Sequence, residues 1–89
     1  MRAVITVIGK DMVGILAAVS GICAEVGVNV TEVSQSIMQD LFAMIMLVDL
    51  SGSTIPFLEL GSRLDKYGEE SGLSVRVMHE DLFNSMHRI

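Results

Sequence analysis

Residues 4–15, Val-Ile-Thr-Val-Ile-Gly-Lys-Asp-Met-Val-Gly-Ile, decide the fold of this 89-residue chain. The run from Val4 to Ile8 is rich in β-branched residues and largely apolar on both faces, which is typical of a central strand covered on both sides. Gly9 ends the run, a short polar loop follows, and Gly14 opens a segment with helical spacing. The stretch therefore predicts a strand that leads through a tight loop into a helix. Free N–H groups at the start of such a helix can hold a small anionic ligand.

The rest of the chain alternates between strands and helices. Apolar spacing and turn residues predict a helix over 12–26 with Asp11 as its N-cap, and strands over 28–38 and 41–50. A second helix is predicted to begin after a cap at Ser53 or Thr54 and to end within 68–72, before a strand over 73–78 and a short helix in 79–89. This order predicts an α+β fold, the ferredoxin-like βαββαβ sandwich, with a four-stranded antiparallel sheet, two helices on one face and a short C-terminal helix.

The second face of that sheet has no predicted cover within one chain. Hydrophobic residues make up 51% of the chain, and its mean hydropathy is +0.56. This is more apolar material than a lone small domain easily buries. We therefore expect a homodimer or a higher homo-oligomer, with a second copy as the simplest cover for the apolar surplus, paired either sheet to sheet or side by side.

Charge and cysteine content exclude several classes of protein. The net charge is −5 and the six Lys and Arg residues are scattered, so no basic patch is present and we expect no nucleic acid partner. No apolar run approaches the length of a membrane span, and the first run is too short for a signal peptide. We therefore expect no membrane partner and a cytoplasmic location. The one cysteine, Cys23, allows no internal disulfide and is expected to be a small core residue.

The sequence contains no recognisable catalytic arrangement. No Gly-x-Ser-x-Gly elbow is present, and the first loop has neither the arginine of an acylphosphatase nor the CxxC of a metallochaperone, two functions that occur on this fold. His79 and His87 are eight residues apart; they form either a metal pair with Glu80 or Asp81 or, more simply, solvent-facing or interface histidines. We therefore expect no enzyme, no catalytic residue, no metal and no cofactor.

The first loop is the remaining candidate for a ligand site. The backbone N–H groups of residues 12–15 can bind a carboxylate. Asn29, which we expect close to this loop, has an amide that can donate to a carboxylate and accept from an ammonium. Together these groups suit an amino acid. The alternative is structural, with Gly9 and Gly14 serving a tight turn and Asn29 a turn before the second strand.

These residues resemble the ACT domain family of small regulatory modules. The similarity covers residues 1–79 and rests on the first strand, on Gly9-Lys10-Asp11-Met12-Val13-Gly14-Ile15 and on Gly27-Val28-Asn29-Val30. With Ile37-Met38-Gln39-Asp40-Leu41-Phe42 and the ending Met86-His87-Arg88-Ile89, the chain is similar to stand-alone ACT proteins of bacteria and archaea, the UPF0237 type. The resemblance implies a single ACT domain over 1–89, with its core in 1–79 and a C-terminal helical extension over 80–89.

The resemblance also implies a function. ACT domains pair with one another and commonly bind amino acids at the interface, through the first loop and the start of the second strand. Carried over to this chain, the ligand contacts are Asp11, Met12, Val13, Gly14, Ile15, Asn29 and Val30. Most ACT domains are fused to an enzyme or transcription factor that they regulate, and here we expect no attached domain. The resemblance therefore implies a homodimer that binds an amino acid ligand and regulates a separate, unidentified protein partner in trans; the alternative is a ligand-free protein–protein interaction module.

Overall fold

The computed structural model of the chain describes residues 1–10 and 13–86. Its elements are β1 (Arg2–Gly9), α1 (Ile15–Glu25), β2 (Asn29–Met38), β3 (Leu41–Asp49), α2 (Phe57–Ser71), β4 (Ser74–His79) and α3 (Glu80–Met86). The strands form one sheet in the order β2-β3-β1-β4, and every neighbouring pair is antiparallel. The predicted α+β ferredoxin-like sandwich with a short C-terminal helix is therefore confirmed.

The face of the sheet that packs against α1 and α2, called the near face, holds the core. Every second residue of β1 and β3 is buried on this face, as a strand with one covered face requires. The sheet and the two helices together bury Ala3, Ile5, Val7, Phe42, Met44, Met46, Val48, Val75, Ile15, Val19, Cys23, Leu60 and Leu64. Cys23 is fully buried, and burial raises the pKa of its thiol. Its predicted place in the core is confirmed.

The opposite face, called the far face, is partly covered by α3, so the prediction of a bare second face is wrong. α3 packs on β1 and β4, and Val4, on the far face of β1, is only 2% exposed. An ion pair between Arg2 and Glu80 fastens the start of α3 to the start of β1. Cover by α3 is incomplete, since Ile8 and Ile45 remain exposed at the other end of this face.

α1 begins later than predicted. Its N-cap is Gly14, in the left-handed conformation with φ of 73°, and its first residue is Ile15. The predicted cap, Asp11, lies outside the described residues and three positions before the observed cap, so that assignment is wrong. A glycine fits this position because left-handed backbone carries a steric penalty for residues with a Cβ. The helix ends as predicted before Gly27, which is also left-handed, with φ of 75°.

α2 takes its N-cap from neither of the predicted residues. The capping position is held by Pro56, which supplies no side-chain hydrogen bond. Ser53 instead closes a turn before the helix: its hydroxyl donates to the carbonyl of Ile55 (2.7 Å) and accepts from the N–H of the same residue (3.2 Å). Thr54 ties this turn to the end of α1, because its N–H donates to the carbonyl of Val26 (2.8 Å).

β2 contains a bulge that decides which residues face which side. Val30 lies opposite Val48 and Glu32 lies opposite Leu47, so Thr31 is an extra residue in the register. Its hydroxyl donates to the Leu47 carbonyl at 3.0 Å. Because one extra residue exchanges the two faces of a strand, the residues after the bulge that face the far side are Glu32, Ser34 and Ser36, and those that face the near side are Val33, Gln35 and Ile37.

Candidate functional site

The structure describes Val13, Gly14 and Ile15 among the predicted contacts of the first loop. Asp11 and Met12, two predicted ligand contacts, lie outside the described residues. Val13 is 85% exposed, whereas Ile15 is 1% exposed and belongs to the core. The side chain of Ile15 is therefore unavailable to a ligand. Gly14 and Ile15 can contact a ligand only through their backbone groups.

The start of α1 has the properties of an anion site. The first hydrogen bond of the helix runs from the N–H of Ala18 to the carbonyl of Gly14, at 2.9 Å. The N–H groups of the three residues before Ala18 consequently have no acceptor within the helix. Gly14 has no side chain to cap them, and the first turn carries no acidic residue. A ligand carboxylate would meet the positive end of the helix dipole here.

Asn29 and Val30 lie at the opposite end of the sheet from this loop. Asn29 is opposite Asp49, and Asp49 is opposite Arg2 at the start of β1. The loop instead follows Gly9, at the other end of β1. Seven residue steps of about 3.3 Å separate the two ends of that strand, or about 23 Å. The expected closeness of Asn29 to the first loop is therefore wrong within one chain.

The reason lies in the topology. β1 and β2 are both antiparallel to β3, so they run parallel to each other, as strands joined by a crossover helix do. The starts of parallel strands lie at the same end of the sheet, and the loop that leaves β1 lies at the opposite end. Val30 follows Asn29 at the start of β2, is half-buried and packs against the core.

The end of the sheet that carries Asn29 also carries polar groups that the sequence reasoning missed. One oxygen of the Asp49 carboxylate accepts from the N–H (2.9 Å) and the hydroxyl (2.7 Å) of Ser51. Hydrogen bonds from the Ser51 hydroxyl and then from its N–H hold the pKa of Asp49 below its ordinary value. The spacing Asp-x-Ser is the available sequence signal, because an Asp side chain commonly bonds the backbone two residues on.

His79, the other residue considered for chemistry, is the last residue of β4 and not part of a helix. Its Nδ1 accepts from the N–H of Asp81 at 3.1 Å, which makes it a local cap at the start of α3. His87 lies outside the described residues. Within residues 1–10 and 13–86, no group of three His, Cys, Asp or Glu side chains is arranged to hold a metal ion.

The described residues also line open cavities away from the first loop. One, of about 310 Å³, lies between α2 and β4 and is lined by Asp65, Glu69 and Arg76 among others. Two more lie between α3 and the far face on either side of Phe83, with volumes of about 200 and 290 Å³. The larger of these two is almost wholly apolar, with Ile8, Ile45 and Met86 in its lining.

Comparison with known proteins identifies the family. A family model described as the ACT domain matches residues 2–78 of this chain. The chain belongs to the ACT domain family. It is similar to a UPF0237 protein of Clostridium acetobutylicum, with 51% identity over 89 residues and full coverage of both chains. Among solved structures it is similar to an ACT domain protein from Streptococcus pneumoniae, with a TM-score of 0.81, 34% identity and 93% coverage of each chain.

A third comparison bears on the role of the fold. The regulatory subunit of aspartate kinase from Thermus thermophilus matches with a TM-score of 0.64 and 26% identity, over 85% of this chain and 49% of that one. The ACT fold is a regulatory, ligand-binding one rather than a catalytic one. In the described part of this ACT protein, no helix is both long and apolar enough to cross a membrane.

Proposed function

We propose that this ACT protein is a homodimer that binds a free amino acid between its subunits and thereby regulates a separate protein. The observation that carries the proposal is the separation of the two halves of the candidate site. The first loop and the start of β2 lie at opposite ends of the sheet, so they form one site only if they come from different chains.

β2 provides the means of joining them, because it is an edge strand of the sheet. A two-fold axis through the middle of β2 would pair it antiparallel with the same strand of a second copy. The partner's Asn29 would then lie beside Met38, at the end of β2. That end is level with Gly9, since Ile37 is opposite Phe42 and Phe42 is opposite Gly9. The partner's Asn29 would thus lie at the end of the sheet from which the first loop of this chain leaves.

The two edges of the sheet differ in a way that supports this pairing. Natural edge strands are protected by short length, charges or proline. β4 has six residues and carries Arg76, whereas β2 has ten residues with Glu32 as its one charged residue and no proline. All of residues 31–38 are exposed. An edge this long and this weakly protected is expected to be paired in solution.

The surface beside β2 on the near face supports the same interface. Val33 and Ile37 face this side and are 40% and 57% exposed. The side of α1 that faces away from the core carries small apolar residues, and Ala17, Gly21 and Ala24 are exposed there. Two such helices can pack closely across a two-fold axis because small side chains let their backbones approach. A side-by-side dimer would bury both surfaces together.

The groups that would meet in this dimer suit an amino acid. The N–H groups at the start of α1 would receive the carboxylate, and the side-chain amide of the partner's Asn29 would accept from the ammonium or donate to the carboxylate. A ligand bound to both chains would stabilise one dimer arrangement over others, and this difference would be the signal to the regulated protein. The proposal takes 1–89 as one ACT domain, cytoplasmic, and acting by binding and not by catalysis.

The dimer interface is tested by mass. In Val33→Lys a charge enters the apolar side of β2, so sedimentation should give the 9.6 kDa mass of one chain, against twice that mass for the wild type. Ser36→Lys is the control, because it places the same charge on the far face of the same strand. If Val33→Lys and the wild type have the same mass, the side-by-side dimer is wrong.

The ligand is tested by a thermal-shift panel of the twenty amino acids. Ligand at a hundred times its Kd adds about 2.7 kcal/mol to stability, which raises the Tm of a domain of this size by at least about 10 °C. Asn29→Ala should weaken the response, while Asn84→Ala, an exposed amide on α3, should leave it intact. A dimer that responds to no amino acid at millimolar concentration would instead be the ligand-free interaction module.

A further inference from the structure

α3 lies on the far face of the sheet but buries little of its own surface. All seven of its residues are described, and none of their side chains is buried. Leu82 and Met86 are 55% and 61% exposed, and Phe83 is half-buried. α1 and α2, by contrast, each bury three residues. Hydrophobic burial therefore holds α3 much more weakly than it holds the other two helices.

The space beneath α3 shows the same loose contact. Phe83 and Ile45 line both of the cavities under this helix, of about 200 and 290 Å³, so open space lies on both sides of Phe83. Close-packed protein interiors leave few spaces larger than a water molecule. A helix of seven residues also has little stability of its own, since isolated helices shorter than about 12 to 15 residues are marginal in water. α3 therefore depends on its few contacts with the sheet.

The polar contacts of α3 are concentrated at its start. Glu80, whose side chain is 21% exposed, pairs with Arg2 of β1. The N–H of Asp81 donates to Nδ1 of His79 at 3.1 Å. His79 is the last residue of β4 and lies opposite Ala3, so the helix begins directly at the end of the sheet. A change of backbone angles at this one junction is enough to move α3 off the far face.

α3 covers a row of apolar side chains. Val4 lies opposite Leu47 of β3 and Met78 of β4, so these three residues form a row across three strands of the far face. Val4 is 2% exposed, and Leu47 and Met78 are half-buried. Ile8 and Ile45, farther along the same face, are 46% and 40% exposed. Without α3, the row and these two residues would form one exposed apolar surface.

We propose that α3 is a lid, which opens as a unit at the junction of His79 and Glu80 while the four strands, α1 and α2 stay folded. Phe83 and the ion pair between Glu80 and Arg2 hold it closed. Local opening of this kind takes place where few buried contacts hold an element. The apolar surface that the protein presents to other molecules is then set by the fraction of chains in which α3 is open. This inference does not depend on the amino acid site.

The experiment is thiol labelling of the Val4→Cys protein, because a thiol at this position is reached only when α3 leaves the far face. Cys23, fully buried in the core of the near face, is the internal control, since a reagent reaches it only through unfolding of that core. We expect the introduced thiol to react with a maleimide at least tenfold faster than Cys23. Equal rates for the two thiols would mean that α3 leaves only when the whole chain unfolds, and the lid would be wrong.

Hydrogen exchange of the wild type distinguishes a lid from a helix that frays at its end. The N–H groups of residues 84–86 are bonded within the helix, and that of Asp81 is bonded at the hinge. A lid gives these amides one common protection factor, which depends on urea far less than the protection of β1. Protection that falls steadily toward Met86, or that falls with urea in parallel with β1, would contradict opening as a unit.

Two ion pairs supply matched variants. Glu80→Gln removes the pair with Arg2, and it should speed both exchange in α3 and labelling of the Val4→Cys protein by about two- to fivefold. Glu59→Gln removes the same charge and the pair with Arg63 on α2 (3.0 Å), and it should leave both rates unchanged. Equal rates in the two variants would show that the pair with Arg2 does not hold α3 closed, against the proposal.

Discussion

Two glycines in α2 should respond in opposite directions to the same substitution. Gly61 and Gly68 both lie within the helix, where alanine is more favourable than glycine by about 0.5 to 1 kcal/mol. A Cβ added at Gly61 meets no atom within 4 Å. Gly61→Ala should therefore raise the free energy of unfolding by about 0.5 to 1 kcal/mol and the Tm by several degrees.

At Gly68 the same methyl group meets the sheet. It would lie 2.9 Å from the carbonyl oxygen of Leu73 and 3.0 Å from Cγ2 of Val75. The strand cannot simply retreat, because the N–H of Leu73 donates to the carbonyl of Gly68 at 2.9 Å and fixes the turn between helix and strand. Overpacking of this kind costs about 1 to 3 kcal/mol, which exceeds the gain in helix propensity. Gly68→Ala should therefore be the less stable protein.

The two variants should differ by about 2 kcal/mol in the free energy of unfolding. Both gain the same helix propensity, so this gain cancels in the comparison, and the difference is the packing cost that only Gly68→Ala carries. Urea denaturation measures this difference, with an unchanged m-value as evidence that both unfold from the same compact state. Equal stabilisation of the two variants would refute the reasoning, because it would mean that the approach of α2 to β4 is not close enough to require glycine.

Three further predictions use other contacts. Because Ser51 lowers the folded-state pKa of Asp49, the Asp49 carboxylate stabilises the fold above a pH of about 4, and this stabilisation is lost as the pH falls. Urea denaturation from a pH of about 7 to about 3 should therefore show a difference in the free energy of unfolding between the wild type and Asp49→Asn that shrinks in acid. Gly27→Ala should lower the Tm more than Gly72→Ala, although both residues are left-handed, because only at Gly27 would the Cβ meet a backbone carbonyl. Because Phe83 is only half-buried, Phe83→Ala should cost about 2 kcal/mol, less than the roughly 3 to 5 kcal/mol of a core phenylalanine, and should speed hydrogen exchange in α3 with unchanged amino acid binding.

The hydrophobic pattern predicted the layers of this fold because burial dictates it directly. The continuous apolar run of β1, the spacing of Leu60 and Leu64 and the alternation of β4 each have one arrangement that hides them from water. Local backbone detail was less predictable. Gly14 caps α1 in a left-handed conformation, and no pattern of side-chain polarity distinguishes that position from Asp11, a residue type that commonly caps helices.

The position of Asn29 was predictable and was predicted wrongly. A strand, a crossover helix and a second strand in one sheet make the two strands parallel, so the start of β2 had to lie away from the loop that leaves β1. What a single sequence cannot supply is the second chain. The proposed site, divided between two ends of one molecule, would become continuous only through a symmetry that no residue of the sequence states.

The bulge at Thr31 decides which side chains of β2 would enter the proposed dimer interface. Before the bulge, the side chain of Val30 packs against the core. Without the extra residue, regular alternation from Val30 would turn Glu32 and Ser34 toward α1 and Val33 toward the far face. With it, Val33 and Ile37 face the side on which the small residues of α1 are exposed. In the proposed dimer, a second copy related by a two-fold axis would cover Val33 and Ile37 together with the small exposed residues of α1.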